Sequence, residues 1–273
     1  MPDEQLTEPV KGEDKEQDLP ERPASSSIFE TISNEGRKEL ARPATSLWWS
    51  GLAAGASISA SLFAEGFLRL TLPEQPWAEA VESLGYTVGF LIVVFGRLQL
   101  FTENTITPIL PLLSEPTLGK LRATARLWGI VFAANMAGSL MAALFAVYSS
   151  MASPEQVEAF TEISQQFVDR SFADAFWQGI PAGFYIAAMV WMLPSADHAR
   201  FYVVVVMTYL ITLGRFTHVV AGSTEVFLLQ ARGLMGVFEG AFFIGCVGAG
   251  NIVGGTGLFA LLAYAQVKEE LEE

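Results

Sequence analysis

Gly96-Arg97-Leu98-Gln99-Leu100-Phe101-Thr102-Glu103-Asn104-Thr105-Ile106-Thr107-Pro108 interrupts the run Ser83–Ser114, which is otherwise apolar. Thr and Asn compete for backbone hydrogen bonds, and Pro108 and Pro111 each remove a backbone donor. The expected helix therefore breaks near Phe101–Thr105. A second run, Phe201–Leu229, is apolar except for Arg215, His218 and Glu225, and carries Gly222-Ser223-Thr224 at the corresponding place. Irregular backbone at membrane depth is tolerable only against protein or a water-lined cavity. Two such breaks at matching places point to a pore.

Four uninterrupted runs flank these two. Ser46–Ala64, Leu127–Pro154, Ala175–Ala196 and Ala241–Val267 carry no charge over about the 20 residues that a membrane-crossing helix needs. The pattern predicts six spans, with helices 2 and 5 interrupted. Residues 46–267 form the transmembrane domain, and residues 268–273 a short tail. Residues 1–45 hold Asp3, Glu4, Glu8, Glu13, Asp14, Glu16 and Asp18 with Pro20 and Pro23, and read as a disordered acidic tail. Acidic Ser153–Asp174 reads as an amphipathic surface helix between the two halves.

The halves resemble each other. Trp49-Ser50-Gly51-Leu52-Ala53-Ala54-Gly55-Ala56-Ser57-Ile58 shares Trp, Gly, Ala, Gly and Ile at identical spacing with Trp177-Gln178-Gly179-Ile180-Pro181-Ala182-Gly183-Phe184-Tyr185-Ile186. Gly96-Arg97 matches Gly214-Arg215, and Asn135 before Gly138 matches Asn251 before Gly254. A repeat of three spans must invert its second copy, the plan of many transporters, with the pathway near the midplane. Small faces such as Gly51 and Gly55, or Gly179 and Gly183, allow close helix packing.

Six spans put both termini on one side. That side carries Lys11, Lys15, Arg22, Arg37, Lys38, Arg42, Lys120, Arg122, Arg126, Arg200 and Lys268, whereas the other carries Arg69, Arg170 and Arg232. The bias predicts cytoplasmic termini. Cys246 is the sole cysteine, and His198 and His218 are the only histidines. No phosphate-binding loop, basic patch or nucleophile-and-base pair is visible. The reading is a non-enzyme without metal, cofactor or nucleic-acid partner.

Polar residues at membrane depth are expensive and often line a path. His218 can change charge near neutral pH and lies beside a predicted break. Arg97 and Arg215 either attract anions or pair with Glu103 and Glu225. The pairing that pins the broken helices is favoured, because buried charges need partners.

At these residues the chain resembles the formate/nitrite transporter family. Leu100-Phe101-Thr102-Glu103-Asn104-Thr105 is similar to that family's second-helix loop, and Phe216-Thr217-His218-Val219-Val220-Ala221 to its fifth-helix histidine motif. Asn135 and Asn251 resemble its third- and sixth-helix asparagines. The resemblance implies an aquaporin-like protomer in a homopentamer of the bacterial inner membrane, one pore per protomer, passing a small monovalent anion or its weak acid (formate, nitrite or hydrosulfide). It implies Thr102 facing His218 across the path, with Leu100 and Phe101 in a hydrophobic constriction. Glu103, Asn104, Asn135, Asn251, Thr217 and Gln178 join the expected path. Gln178 and Thr217 stand where the family usually has Lys and Glu. Two other readings follow from those departures and the long tail: a channel for a small neutral solute, or a non-transporting membrane scaffold.

Overall fold

A computed structural model of the chain describes residues 23–271, and regular structure among them is entirely helical. The first helix, α1 (Ser25–Ala41), corrects part of the expected tail over residues 1–45. Phe29, Ile32, Ser33 and Gly36 recur at helical spacing and are buried. They pack over Ile106, Ile109 and Leu110. A net acidic composition hid this face. Residues 1–22 of the expected tail lie outside the described residues.

Next, α2 (Ala44–Ile58) and α3 (Ala60–Thr71) continue through Ser59 as one rod of 28 residues. A short α4 (Ala78–Glu82) leads into α5 (Thr87–Phe95), and α6 (Ile109–Ser114) follows the break. The long α7 (Leu118–Tyr148) begins at Thr117, whose side chain accepts the Lys120 N–H. Its start lies nine residues ahead of the expected Leu127 because Lys120, Arg122 and Arg126 project from a helix rather than a loop. The expected amphipathic segment is α8 (Pro154–Val168), opened by a capping box between Ser153 and Gln156.

The second half runs through α9 (Phe172–Met192), α10 (Arg200–Leu213), α11 (Val219–Ala231), α12 (Val237–Ile252), a wide π-type stretch Val253–Ala260, and α13 (Leu261–Val267). Five helices among the described residues are long and apolar enough to cross a membrane; the expected fifth span is divided into α10 and α11.

Both breaks fall earlier than the sequence suggested. Gly96 ends α5 and Gly214 ends α10. In each case the closing turn has the same two bonds. Arg97 N–H donates to Val94 and Leu98 N–H to Val93, while Arg215 N–H donates to Thr212 and Phe216 N–H to Ile211. This is the Schellman ending, and it puts Arg97 and Arg215 at φ of 51° and 54°. Gly222-Ser223-Thr224, the expected break, lies inside α11 because Ser223 folds its hydroxyl back onto the Val220 carbonyl.

Glycines set the closest approaches. A Cβ on Gly55 would overlap the Asn135 backbone, and one on Gly183 the Asn251 backbone. The α2–α7 and α9–α12 pairs can touch only because those side chains are missing.

Candidate functional site

Two asparagines hold the broken elements. Asn135 Nδ2 donates to the carbonyls of Gly51 (2.8 Å) and Gln99 (2.9 Å), and its Oδ1 accepts the Phe101 N–H (2.9 Å). Asn251 Nδ2 donates to Gly179 and Thr217 (2.8 Å each), and its Oδ1 accepts the Val219 N–H (2.8 Å). Non-helical backbone at this depth thereby finds partners. Both asparagines were expected in the path. Both are fully buried with donors committed to backbone, so they clamp it. The two clamps align Gln99 with Thr217 and Phe101 with Val219, and so Leu100 with His218.

His218 caps α11. Its Nδ1 accepts the Ala221 N–H (3.2 Å), and its Nε2 lies 2.7 Å from Thr102 Oγ1. An acceptor at Nδ1 fixes the tautomer: the neutral ring carries its proton on Nε2 and donates it to Thr102. Protonating Nδ1 would turn an N–H toward another N–H at the positive end of a helix. Thr102 and His218 are both 0% exposed, so this bond closes the space between the two breaks.

Apolar groups surround it. Phe90 packs edge-on against the imidazole with centroids 5.0 Å apart, and Tyr86 stacks on Phe90 at 5.2 Å. Leu100 and Phe101 are buried in the same core, with Phe101 wedged against Phe132 and Trp128. Sequence reasoning missed Phe90 and Tyr86. They lie four apart in an apolar run with no polar mark; only their helical spacing toward the break was available.

The remaining expected residues divide. Asn104 donates to Gln99 Oε1 (3.1 Å), and its carbonyl accepts Trp128 Nε1–H (2.8 Å), bracing the loop. Thr217 Oγ1 donates to the Ala175 carbonyl (2.7 Å), and its N–H to the Gln178 carbonyl (3.1 Å), tying the break to α9. Glu103 sits apart, under the influence of Glu35 and Glu39 on α1, with Oε1 buried and unpartnered.

The expected buried ion pairs are corrected. Arg97 pairs with Glu35 (3.5 Å) and Arg215 with Glu79 (2.6 Å), and their side chains are 84% and 73% exposed. Neither arginine forms a salt bridge to Glu103 or Glu225, although Arg215 lines the same cavity as Glu225. Glu225 itself is 5% exposed.

On the side of α4 and α8, an open cavity of about 330 Å³ approaches the break, walled by Tyr86, Phe216 and Gln178 among others. Arg170 enters it, donating to Gln178 Oε1 and to the Arg215 carbonyl (2.9 Å). Burial lowers the Arg170 pKa from its ordinary value, with the Glu225 charge acting in the opposite direction; a guanidinium stays cationic regardless.

A family profile described as Formate/nitrite transporter matches residues 26–265. The Inner membrane protein YfdC of Escherichia coli (strain K12) is 40% identical over 255 residues, covering 93% of this chain and 81% of that protein. The Uncharacterized transporter YrhG of Bacillus subtilis (strain 168) is 26% identical over 253 residues, covering 87% and 92%. Among solved structures, an FNT family ion channel superposes with a TM-score of 0.77 at 15% identity, covering 88% of this chain and 99% of that one. A pentameric formate channel with formate bound gives 0.69 at 20% identity, covering 83% and 98%. With five long apolar helices, these likenesses describe a multi-pass, all-α integral membrane protein.

Proposed function

Because the chain belongs to the formate/nitrite transporter family, we propose that it carries a small monovalent anion of the formate or nitrite class across the membrane as the neutral acid, past the Thr102–His218 pair. The carrying observation is the 2.7 Å bond between the two breaks, buried among Phe90, Leu100 and Phe101. A bare anion entering that space would lose its hydration without a countercharge, which is costly; a neutral acid loses far less. It can also replace each half of the bond, accepting from His218 Nε2–H and donating to Thr102 Oγ1.

The wider architecture follows the same reading. Residues 46–267 form six spans as two inverted three-helix repeats, with α5–α6 and α10–α11 as the interrupted members. The identical clamps of Asn135 and Asn251 support the repeat. The protomers assemble as a pentamer in the bacterial inner membrane with both termini cytoplasmic, and no catalytic step occurs. The pentamer is taken from the solved formate channel, and the sidedness from the Lys/Arg bias.

A second reading, a channel for a neutral solute such as ammonia, draws on one feature: His218 is held neutral at the closure. Liposomes containing the purified protein separate the two. Formate and nitrite uptake that rises as the medium is acidified supports weak-acid passage, whereas ammonia flux without formate flux selects the second reading. His218→Phe keeps an aromatic ring, one atom larger, and removes both nitrogens. It should lower formate uptake about tenfold, roughly one hydrogen bond; undiminished uptake would remove the basis for the histidine's role.

A further inference from the structure

The cavity beside the closure holds more acid than its bases neutralise. Arg69 is engaged by Glu82 (2.8 Å) and Arg215 by Glu79 (2.6 Å). Glu65 from α3, Glu225 from α11 and Asp169 after α8 have no salt-bridge partner among the described residues, and Arg170 is the cation left beside them. Ser83, Tyr86, Gln166, Gln178 and Thr212 complete the polar lining, while α2, α7 and α12 place no charged group on it. Glu65 is 6% exposed and accepts one bond, from Thr212 Oγ1 (3.2 Å). Glu225 is 5% exposed, lines the cavity, and makes no hydrogen bond or salt bridge among the described residues. Glu65 and Glu225 line the same cavity.

A carboxylate taken out of water without a partner is costly, and a bound proton removes that cost. A metal ion fits less well, because among the described residues no three His, Cys, Asp or Glu side chains gather to hold one. Arg170 also repels a second cation from the cavity.

We propose that Glu225 is the proton donor of this cavity and converts an arriving carboxylate- or nitrite-class anion into the neutral acid that the Thr102–His218 closure passes. The idea rests on the weak-acid reading above. In the step, the Glu225 carboxyl O–H bond breaks and an O–H bond forms on the anion, leaving a Glu225 carboxylate and a neutral acid. Water at the open mouth returns the proton to the carboxylate. Arg170 draws the anion in and balances the charge left behind.

The test is formate uptake by the full chain in liposomes across about two pH units above the ordinary carboxylic-acid range. If only bulk neutral acid crosses, uptake falls about tenfold per pH unit, because the neutral fraction does. A donor inside the cavity makes that slope shallower. The unmodified protein should therefore show the shallow slope, and Glu225→Gln the full one. Loss in the variant should be at least about tenfold at the alkaline end, and uptake should converge with the unmodified protein at the acidic end. Glu225→Asp should recover part of the shallow slope. A Glu225→Gln slope equal to the unmodified one overturns the proposal, as does a full slope in the unmodified protein that carries formate; both leave weak-acid passage standing. No flux of any weak acid through the unmodified protein defeats both ideas. If Glu225→Gln does not fold, infrared spectra of the unmodified protein decide. A protonated-carboxyl band at neutral pH that shifts in Glu225→Asp supports the protonated donor, and a spectrum unchanged in that variant overturns it.

Discussion

Asn135 and Asn251 each donate twice and accept once, always with backbone, at the points where helices stop. Removing one amide strands two buried groups outside the helices' own bonding, a carbonyl and an N–H, each worth about 1–3 kcal/mol when left without a partner. Asn251→Ala should therefore sharply lower the thermal midpoint of the detergent-solubilised protein, followed by loss of the folded species on size exclusion. A residue that only lined the path would change flux and leave that midpoint where it was. The sequence marks these asparagines as polar groups at membrane depth but does not distinguish a path from a clamp. That distinction depends on carbonyls at Gln99 and Thr217, far away along the chain. His218 was legible for the opposite reason, since it stands beside an interruption that the sequence displays, whereas Thr102 came only with the family resemblance.

Among elements, the two breaks repeat a single closing turn with an arginine in left-handed conformation. A non-glycine residue there costs about 1–2 kcal/mol, and an ion pair as exposed as Arg97–Glu35 returns little of it. Arg97→Gly should fold at least as stably as the unmodified protein. Arg97→Val should fall below Arg97→Gly by about 1–2 kcal/mol or more. Equal chemical-denaturation midpoints for the two variants would contradict this account. The existence of the breaks was readable from Thr, Asn and Pro, but their position was not. Gly96 and Gly214 end the helices, and beyond them Thr105, Thr107 and Ser223 fold their hydroxyls back onto nearby carbonyls. The expected pairing of Arg97 and Arg215 failed as well, since Glu35 and Glu79 take them instead.

For the whole molecule, α1 extends the fold beyond the apolar spans. Ile32 is fully buried on a layer that includes Ile106 and Leu110, next to the first break. Ile32→Ala should lower stability by roughly 2–5 kcal/mol, read from thermal unfolding; a disordered segment would register no change. The overall charge pointed to an unstructured N-terminal region, whereas four residues at helical spacing were enough to dock it. The closure of the proposed route adds a further consequence. It consists of one hydrogen bond and a ring, contributed by two elements that are clamped in place. Opening it asks for side-chain rotation rather than the rocking of one domain against another. Domain motions take microseconds to milliseconds, and a side-chain rotation waits for none of them. Each passage would then be governed by how often the cargo reaches the closure uncharged, and the flux–concentration relation would be that of a sieve rather than of a machine with a cycle to complete.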